Sequence, residues 1–380
     1  MARLGDVIRT AKVAKCGDAT YPVLSMTMHD GIMLQSERFK KSLASIDQSN
    51  YKVVHYGQLV IGFPIDEGVI YIQRTVTDGI MSPAYTVCDV NYDIIDPSYL
   101  ELCLHSPQSM QYYKENLRGT TARRRSMPLD TLLALPLTLP PLDEQRKISA
   151  VLDKVSDLIA KRRQQLDKLD TLVKARFVEM FGVYPANPMR WETGTIRDVV
   201  ADVRYGSSRP AVDGGKYPYL RMNNITYGGE LDLTDTKRID VPDNELDKCT
   251  VRRGDVLFNR TNSKELVGKT CVYNRDEMMV LAGFVVRVRL TERVLPEFLV
   301  AFLNTDFSKQ MLLGMCKTAI GQANINAQEM QNIGLYLPPI ETQQQFVRFK
   351  KHTDKSKLAV IQSLEKLETL KKSLMQQYFG

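Results

Sequence analysis

The chain has 380 residues, 51 basic and 44 acidic side chains, a formal net charge of +7 and 43% hydrophobic residues, which suits two domains of ordinary size rather than a disordered or strongly cationic tail. No apolar run follows Met1-Ala2-Arg3-Leu4-Gly5-Asp6, and the most apolar stretch, 132–142, is short and holds three prolines, so neither a signal peptide nor a membrane span is expected and the cytoplasm is the expected compartment. The six cysteines form no Cys-x-x-Cys pair, which argues against zinc and fits reduced thiols.

In chain order, residues 1–138 read as a first α+β domain. Lys52-Val53-Val54-His55-Tyr56 followed by Gly57-Gln58-Leu59-Val60-Ile61-Gly62 has the pattern of strand, glycine turn and strand, and a helix is expected over Ser98 to Leu117. Residues 139–182 read as one long helix. Pro140 and Pro141 fix an extended lead-in, Asp143 and Glu144 put negative charge at the helix start, and no glycine or proline intervenes before Gly182. Ile148, Leu152, Val155, Ile159, Leu166, Leu169 and Val173, with Arg162, Arg176 and Met180, step by four and three alternately, the spacing of a coiled-coil seam. From Asp143 to Phe181 such a helix spans roughly 57 Å at about 1.5 Å per residue.

A proline-bearing linker, 183–194, leads to a second domain, 195–336. Here Lys248 to Arg253 and Gly254-Asp255-Val256-Leu257-Phe258-Asn259 repeat the pattern of strand, glycine turn and strand, Val280 to Arg289 reads as a strand with one wet face, and a helix is expected over Pro296 to Met315. A second long helix occupies 337–380. Its seam, Phe346, Val360, Leu364, Leu367 and Leu374 together with Lys350, Thr353, Lys357, Lys371 and Tyr378, is weaker in the middle and calls for a partner helix.

The halves are copies of one design. Leu137-Thr138-Leu139-Pro140-Pro141-Leu142-Asp143-Glu144-Gln145 returns as Leu335-Tyr336-Leu337-Pro338-Pro339-Ile340-Glu341-Thr342-Gln343, 198 positions on, and Phe181-Gly182 returns as Phe379-Gly380. Upstream, Tyr21-Pro22-Val23-Leu24-Ser25-Met26 answers Tyr217-Pro218-Tyr219-Leu220-Arg221-Met222, and Pro97-Ser98-Tyr99-Leu100 answers Pro296-Glu297-Phe298-Leu299. Between these landmarks the domains share little. The helices are kept alike while the domains differ. Two amphipathic helices with incomplete seams most simply pack on each other as an antiparallel coiled coil.

Catalytic motifs are missing. Grip on an exocyclic adenine nitrogen needs a short Asp- or Asn-Pro-Pro-aromatic element, and both Pro-Pro pairs lie in the Leu-Pro-Pro segments. Gly268-Lys269-Thr270 has the tail of a phosphate-binding loop, but Ser263 stands where its first glycine belongs, and the segment reads as a strand turn. His29, His55, His105 and His352 are isolated from one another and from any nucleophile motif. Basic residues instead cluster in expected loops, Arg123-Arg124-Arg125, Arg252-Arg253 and 204–209, among Tyr, Asn and Ser residues suited to phosphates and base edges.

The doubled Leu-Pro-Pro-Leu/Ile-Asp/Glu-x-Gln lead-in, the long helices ending in Phe-Gly, Gly254-Asp255-Val256-Leu257-Phe258 and Gln322-Ala323-Asn324-Ile325-Asn326 resemble the specificity subunits of type I restriction-modification systems over essentially the whole chain. The resemblance implies a non-catalytic reader with two target-recognition domains, each binding one half of an asymmetric split DNA site. It further implies that the paired helices act as spacer and as docking surface for two methyltransferase subunits, which bring S-adenosylmethionine, and that motor-nuclease subunits join for restriction. No cofactor is expected on this chain. Two alternatives remain open at this point: the separate reader of a fused methyltransferase-nuclease system, and a coiled-coil adaptor that binds no DNA.

If the chain reads DNA, arginine suits guanine and asparagine or glutamine suits adenine, because each makes two hydrogen bonds to a major-groove edge. In the second domain the candidates are Arg204, Tyr205, Ser207, Ser208 and Arg209 in the early loop, and Arg221, Asn223 and Asn224 after the Tyr-Pro-Tyr-Leu strand. Asn259, Arg260, Asn262 and Lys264 follow in the turn, then Gln322, Asn324 and Asn326. In the first domain they are Lys40, Lys41, Arg123, Arg124 and Arg125. The first domain lacks the Tyr205-Gly206-Ser207-Ser208-Arg209-Pro210 loop and has Lys12-Val13-Ala14-Lys15-Cys16-Gly17 in its place.

Overall fold

The computed structural model describes residues 2–28, 30–38, 47–117, 127–319 and 322–380. The chain divides into two units, Met1–Arg163 with Gln362–Gly380, and Gln164–Ile361. Both are α+β. In the first, an antiparallel sheet runs in the order Ile8–Thr10, Thr86–Val90, Leu59–Ile61, Ile70–Ile72. The second repeats it as Val200–Tyr205, Val285–Leu290, Val256–Asn259, Thr270–Val272. The registers agree as well: Leu59 stands opposite Cys88 and Val256 opposite Val288.

A smaller sheet lies beside this one. In the second unit it is ordered Lys237–Ile239, Tyr217–Leu220, Met279–Leu281, Thr250–Val251, with Tyr219 parallel to Val280. The first unit has two ribbons there, Leu24–Thr27 with Gly31–Leu34 and Lys52–His55 with Asp78–Met81, joined by a parallel bridge from Val23 to Ile80.

The expected helices over 98–117 and 296–315 are each two helices, Pro97–Leu104 then Pro107–Asn116, and Pro296–Leu303 then Asp306–Met315. The break has a local cause. Ser106 and Thr305 cap the second helix of each pair by accepting the amides of Ser109 and Ser308, and Pro107 brings no amide hydrogen for a continuous helix to use.

The single strand expected from Val280 to Arg289 is also corrected. Met279–Leu281 and Val285–Leu290 belong to different sheets, and neither shows the wet face that the alternation suggested. Arg287 is 2% exposed: its guanidinium donates to Asp202 and to the carbonyls of Thr250 and Asp247. Arg289 pairs with buried Asp255 at 2.9 Å. The alternating arginines thus mark ion pairs in which one partner is buried, Arg287 in the first and Asp255 in the second.

The long helices are Leu142–Phe181 and Ile340–Phe379. Gly182, at φ +80°, ends the first in the left-handed conformation that glycine adopts without strain. Each helix is locked at its start by one glutamine. Gln145, fully buried, donates to the carbonyls of Ile94 and Pro140 and accepts the amide of Asp96. Gln343, also fully buried, donates to the carbonyls of Arg293 and Pro338 and accepts the amide of Leu295.

Within each unit the helices pack antiparallel. In the first, Ile148 and Leu152 share a core with Phe379, Leu374 and Tyr378. In the second, Phe177 and Phe181 meet Phe346 at ring separations of 5.2 and 5.7 Å. Of the seam residues, Ile148, Leu152, Val155, Ile159, Phe346 and Val360 are buried, and Leu166, Leu169, Val173, Leu364, Leu367 and Leu374 are half-buried. The polar seam positions find partners: Lys350 lies 2.8 Å from Asp354 and 3.5 Å from Glu230, and Lys357 pairs with Asp170. Burial works against the charge on Lys350, but Glu230 and Asp354 outweigh it and hold its pKa above the ordinary lysine value. Among the described residues no helix is long and apolar enough to cross a membrane.

Candidate nucleic-acid interface

In the second unit, segments distant in sequence enclose a surface concavity of about 480 Å³. Residues 207–211 form one wall, Tyr219 and 221–223 a second, and Arg260 with 282–284 a third. The first wall is laced to the small sheet: the amide of Ser207 donates to Leu281 at 2.6 Å and that of Gly283 to Ser207 at 2.7 Å. A Cβ on Gly206 would sit 2.3 Å from the carbonyl oxygens of Leu281 and Ala282, so this approach requires glycine.

Arg260 is held from both sides. Its amide donates to Phe284 and its carbonyl accepts from Ile325, while the guanidinium lies 5.0 Å from the Tyr205 ring centroid and donates to Asn324 at 3.3 Å. Its Nε is buried without a partner among the described residues. A guanidinium stacked on an aromatic ring keeps its fork oriented, which is what two-point recognition of a base edge needs.

The structure brings together much of the expected set. Ser207, Ser208, Arg209, Arg221, Asn223 and Arg260 line one concavity, and Tyr205 and Asn324 touch Arg260. Several arginines are paired within the chain: Arg204 with Asp202, Arg209 with Glu245 through two bonds, and Arg221 with Asp235. The Arg209 side chain bonded to Glu245 holds that carboxyl below its usual pKa. Exposed pairs of this kind contribute little stability.

Other candidates are placed elsewhere. Asn224, 2% exposed, staples its turn through the carbonyls of Asp232 and Asp235, and Asn259 is wholly buried with no hydrogen-bond partner for its carboxamide among the described residues. Burial takes both away from the concavity; Asn224 serves the backbone of its turn, as asparagine in a tight turn does. Asn326 caps the helix Ala327–Gln331 by accepting the amides of Gln328 and Glu329. Asn262 accepts the amide of Ser263. Gln322 pairs with Ala319 through its backbone, and its side chain lies outside the described residues.

Lys264 lines a separate recess of about 210 Å³ with Tyr227, Lys269 and Lys309. Lys309 sits over the Tyr227 ring at 3.6 Å and donates to the Tyr227 carbonyl. Burial, aided by the charge on Lys174, pushes its pKa down to about 8. In the first unit, Lys40, Lys41, Arg123, Arg124 and Arg125 all lie outside the described residues.

Sequence reasoning missed the apolar part of the concavity, Met222 and the half-exposed Phe284. Only the Gly283-Phe284 pair, a glycine interrupting an apolar strand, hinted that the chain turns outward there.

Comparison with known proteins gives a consistent result. The family description "Type I restriction modification DNA specificity domain" matches residues 188–371. The MjaVIII type I specificity subunit of Methanocaldococcus jannaschii is 23% identical over 405 residues, covering 99% of this chain and 90% of that protein. The EcoKI specificity subunit of Escherichia coli K12 is 23% identical over 228 residues, 56% of this chain and 49% of that protein. The alignments with EcoKI and with the MjaX subunit span about half the length of those relatives.

Among solved structures, a chain from a study of type I restriction-modification complex assembly and conformational transition superposes with a TM-score of 0.61 at 18% identity, covering 100% of this chain and 96% of that one. The type I specificity subunit of M. genitalium superposes with a TM-score of 0.53 at 11% identity, covering 100% of this chain and 95% of that one. Those two likenesses establish the shared fold. The sequence matches are likewise to type I restriction-modification specificity subunits, which this chain resembles along 99% of its length in the case of the MjaVIII subunit.

Proposed function

We propose that this chain is the non-catalytic DNA reader of a type I restriction-modification complex. Residues 1–138 and 195–336 act as two target-recognition domains, each reading one half of a split, asymmetric site. The helices of 139–182 and 337–380 set the spacing between half-sites and dock two methyltransferase subunits, through which restriction subunits join. S-adenosylmethionine belongs to the methyltransferase subunits, and the complex works on DNA in the cytoplasm.

One observation carries this reading: two units share sheet order, register and helix joint, yet present different side chains from the loops at one end of the sheet. An adaptor would have no use for that divergence, whereas a reader of two unlike half-sites requires it. In the second unit the concavity around Arg260 supplies the donor fork, and nearby arginines supply charge for the phosphate backbone.

The test is an exchange. Residues 195–332 are replaced by the matching domain of a relative, and methylated adenines are mapped by long-read sequencing in cells carrying the intact system. One half of the methylated motif changes and the other is preserved. A change in both halves, or in neither, defeats the reading.

A further inference from the structure

The register of the main sheet agrees with the pairing of 57–62 and 254–259 and fixes a position-by-position equivalence between the units. Ile61 stands opposite Thr86 as Phe258 stands opposite Val286. Two residues beyond Phe258 lies Arg260, whose amide bonds Phe284 and which lines the concavity. Two residues beyond Ile61 lies Phe63.

Phe63 is not a core residue. It is 54% exposed, although Phe is among the residue types most often buried, and its ring centroid is 6.4 Å from that of Tyr85. Tyr85 is fixed in turn by its carbonyl, which accepts Lys52 Nζ at 2.6 Å. The chain just before Phe63 runs hard against Met26: a Cβ on Gly62 would lie 2.3 Å from the methionine methyl. Met26 ends the segment Tyr21–Met26 that answers Tyr217–Met222, and Met222 lines the concavity of the second unit. The same place in the two units is therefore polar and forked in one, apolar and aromatic in the other.

We infer that Phe63, at the register position of Arg260 and flanked by Tyr85 and Met26, determines specificity in the first half-site through an apolar contact with the C5 methyl group of a thymine. The inference rests on the proposed DNA-reading function. A phenylalanine ring offers no donor or acceptor for a base edge, and the major-groove feature that an apolar side chain distinguishes is the thymine methyl. Arginine at the equivalent position favours guanine, so the two units impose different chemistry on the half-sites from one scaffold position.

The methylated motif of the intact system defines the two half-sites, and binding is then measured for the full chain in its complex. Duplexes carry deoxyuridine in place of each first-half thymine in turn, which removes only the methyl group. One replacement weakens wild-type binding about fourfold, the effect of one buried methyl group. The Phe63→Ala complex binds the thymine and deoxyuridine duplexes alike, and the Phe63→Leu complex, still apolar, keeps the discrimination. Retained second-half specificity certifies that each variant is folded. The inference is overturned if no first-half thymine is sensitive, or if Phe63→Ala discriminates as well as wild type. Absence of any sequence-selective binding by the wild-type complex overturns the reading of the chain as a DNA reader, a distinguishable outcome.

Discussion

Two pairs of residues set the common part of the chain against the variable part. Gln145 and Gln343 occupy matching places and make the same three hydrogen bonds. Phe63 and Arg260 also occupy matching places and have no chemistry in common. Where a side chain joins helix to domain, the pattern of partners is repeated atom for atom; where it points out from the loops, only the backbone position is repeated. The difference teaches that the scaffold and the surface answer to separate demands.

The helix ends provide the sharpest way to break the equivalence. Phe181 contacts the rings of Phe177, Phe298 and Phe346, whereas Phe379 contacts those of Tyr99 and Tyr378. Phe181→Ala is expected to destabilise by about 4 kcal/mol and Phe379→Ala by about 3 kcal/mol, the range for emptying a buried phenylalanine site. Urea denaturation of each variant measures both. A larger loss at Phe379 would contradict the packing difference.

Next come the glutamine joints. Gln145→Leu and Gln343→Leu each strand two carbonyls and one amide away from water, at a cost of about 3 kcal/mol apiece. Equal losses in denaturation support one joint built twice. A loss confined to one variant would show that the shared hydrogen-bond pattern hides unequal roles.

On the variable side, Arg260→Ala is expected to weaken DNA binding by roughly 1 to 3 kcal/mol and to relax one base position in the second half-site alone. Competition binding against duplexes mutated one position at a time reads both effects. Uniform weakening across all sequences would reassign Arg260 to the phosphate backbone.

The smallest effect concerns Lys309. With its folded pKa near 8, below the usual lysine value, the unfolded chain binds a proton between about pH 8 and 10 that the folded chain does not, so its contribution makes stability rise with pH across that window. Below pH 8 both states hold the proton and this dependence vanishes. The group is half-buried and still reached by solvent, which limits the rise to less than about 1 kcal/mol. Denaturation between pH 7 and 10 should show the rise in wild type and its loss in Lys309→Met.

The seam of the long helices was legible because it is local: every apolar step of four and three falls on a buried or half-buried position. The sheet order was not legible, since pairing Val285–Leu290 between Val200–Tyr205 and Val256–Asn259 depends on contacts far apart in sequence. Of the expected readers, Ser207, Ser208, Arg209 and Arg260 converge on the concavity, whereas Arg204 lies on the strand Val200–Tyr205 and pairs with Asp202. The asparagines divided. Asn223 is exposed on the concavity while its neighbour Asn224 is buried in the turn, and no sequence pattern distinguishes a carboxamide that serves the backbone from one left free.

The glutamine joint has a consequence for how such a chain diversifies. Every bond that Gln145 makes goes to a main-chain atom, of Ile94, Asp96 and Pro140, and every bond of Gln343 likewise, to Arg293, Leu295 and Pro338. Isoleucine has become arginine and aspartate has become leucine at equivalent places without disturbing the joint. The socket inspects the path of the backbone and ignores the identity of the residue that traces it. Drift and recombination can therefore rewrite the globular part up to the residues touching the helix, and the helix will still be seated at the same rotation.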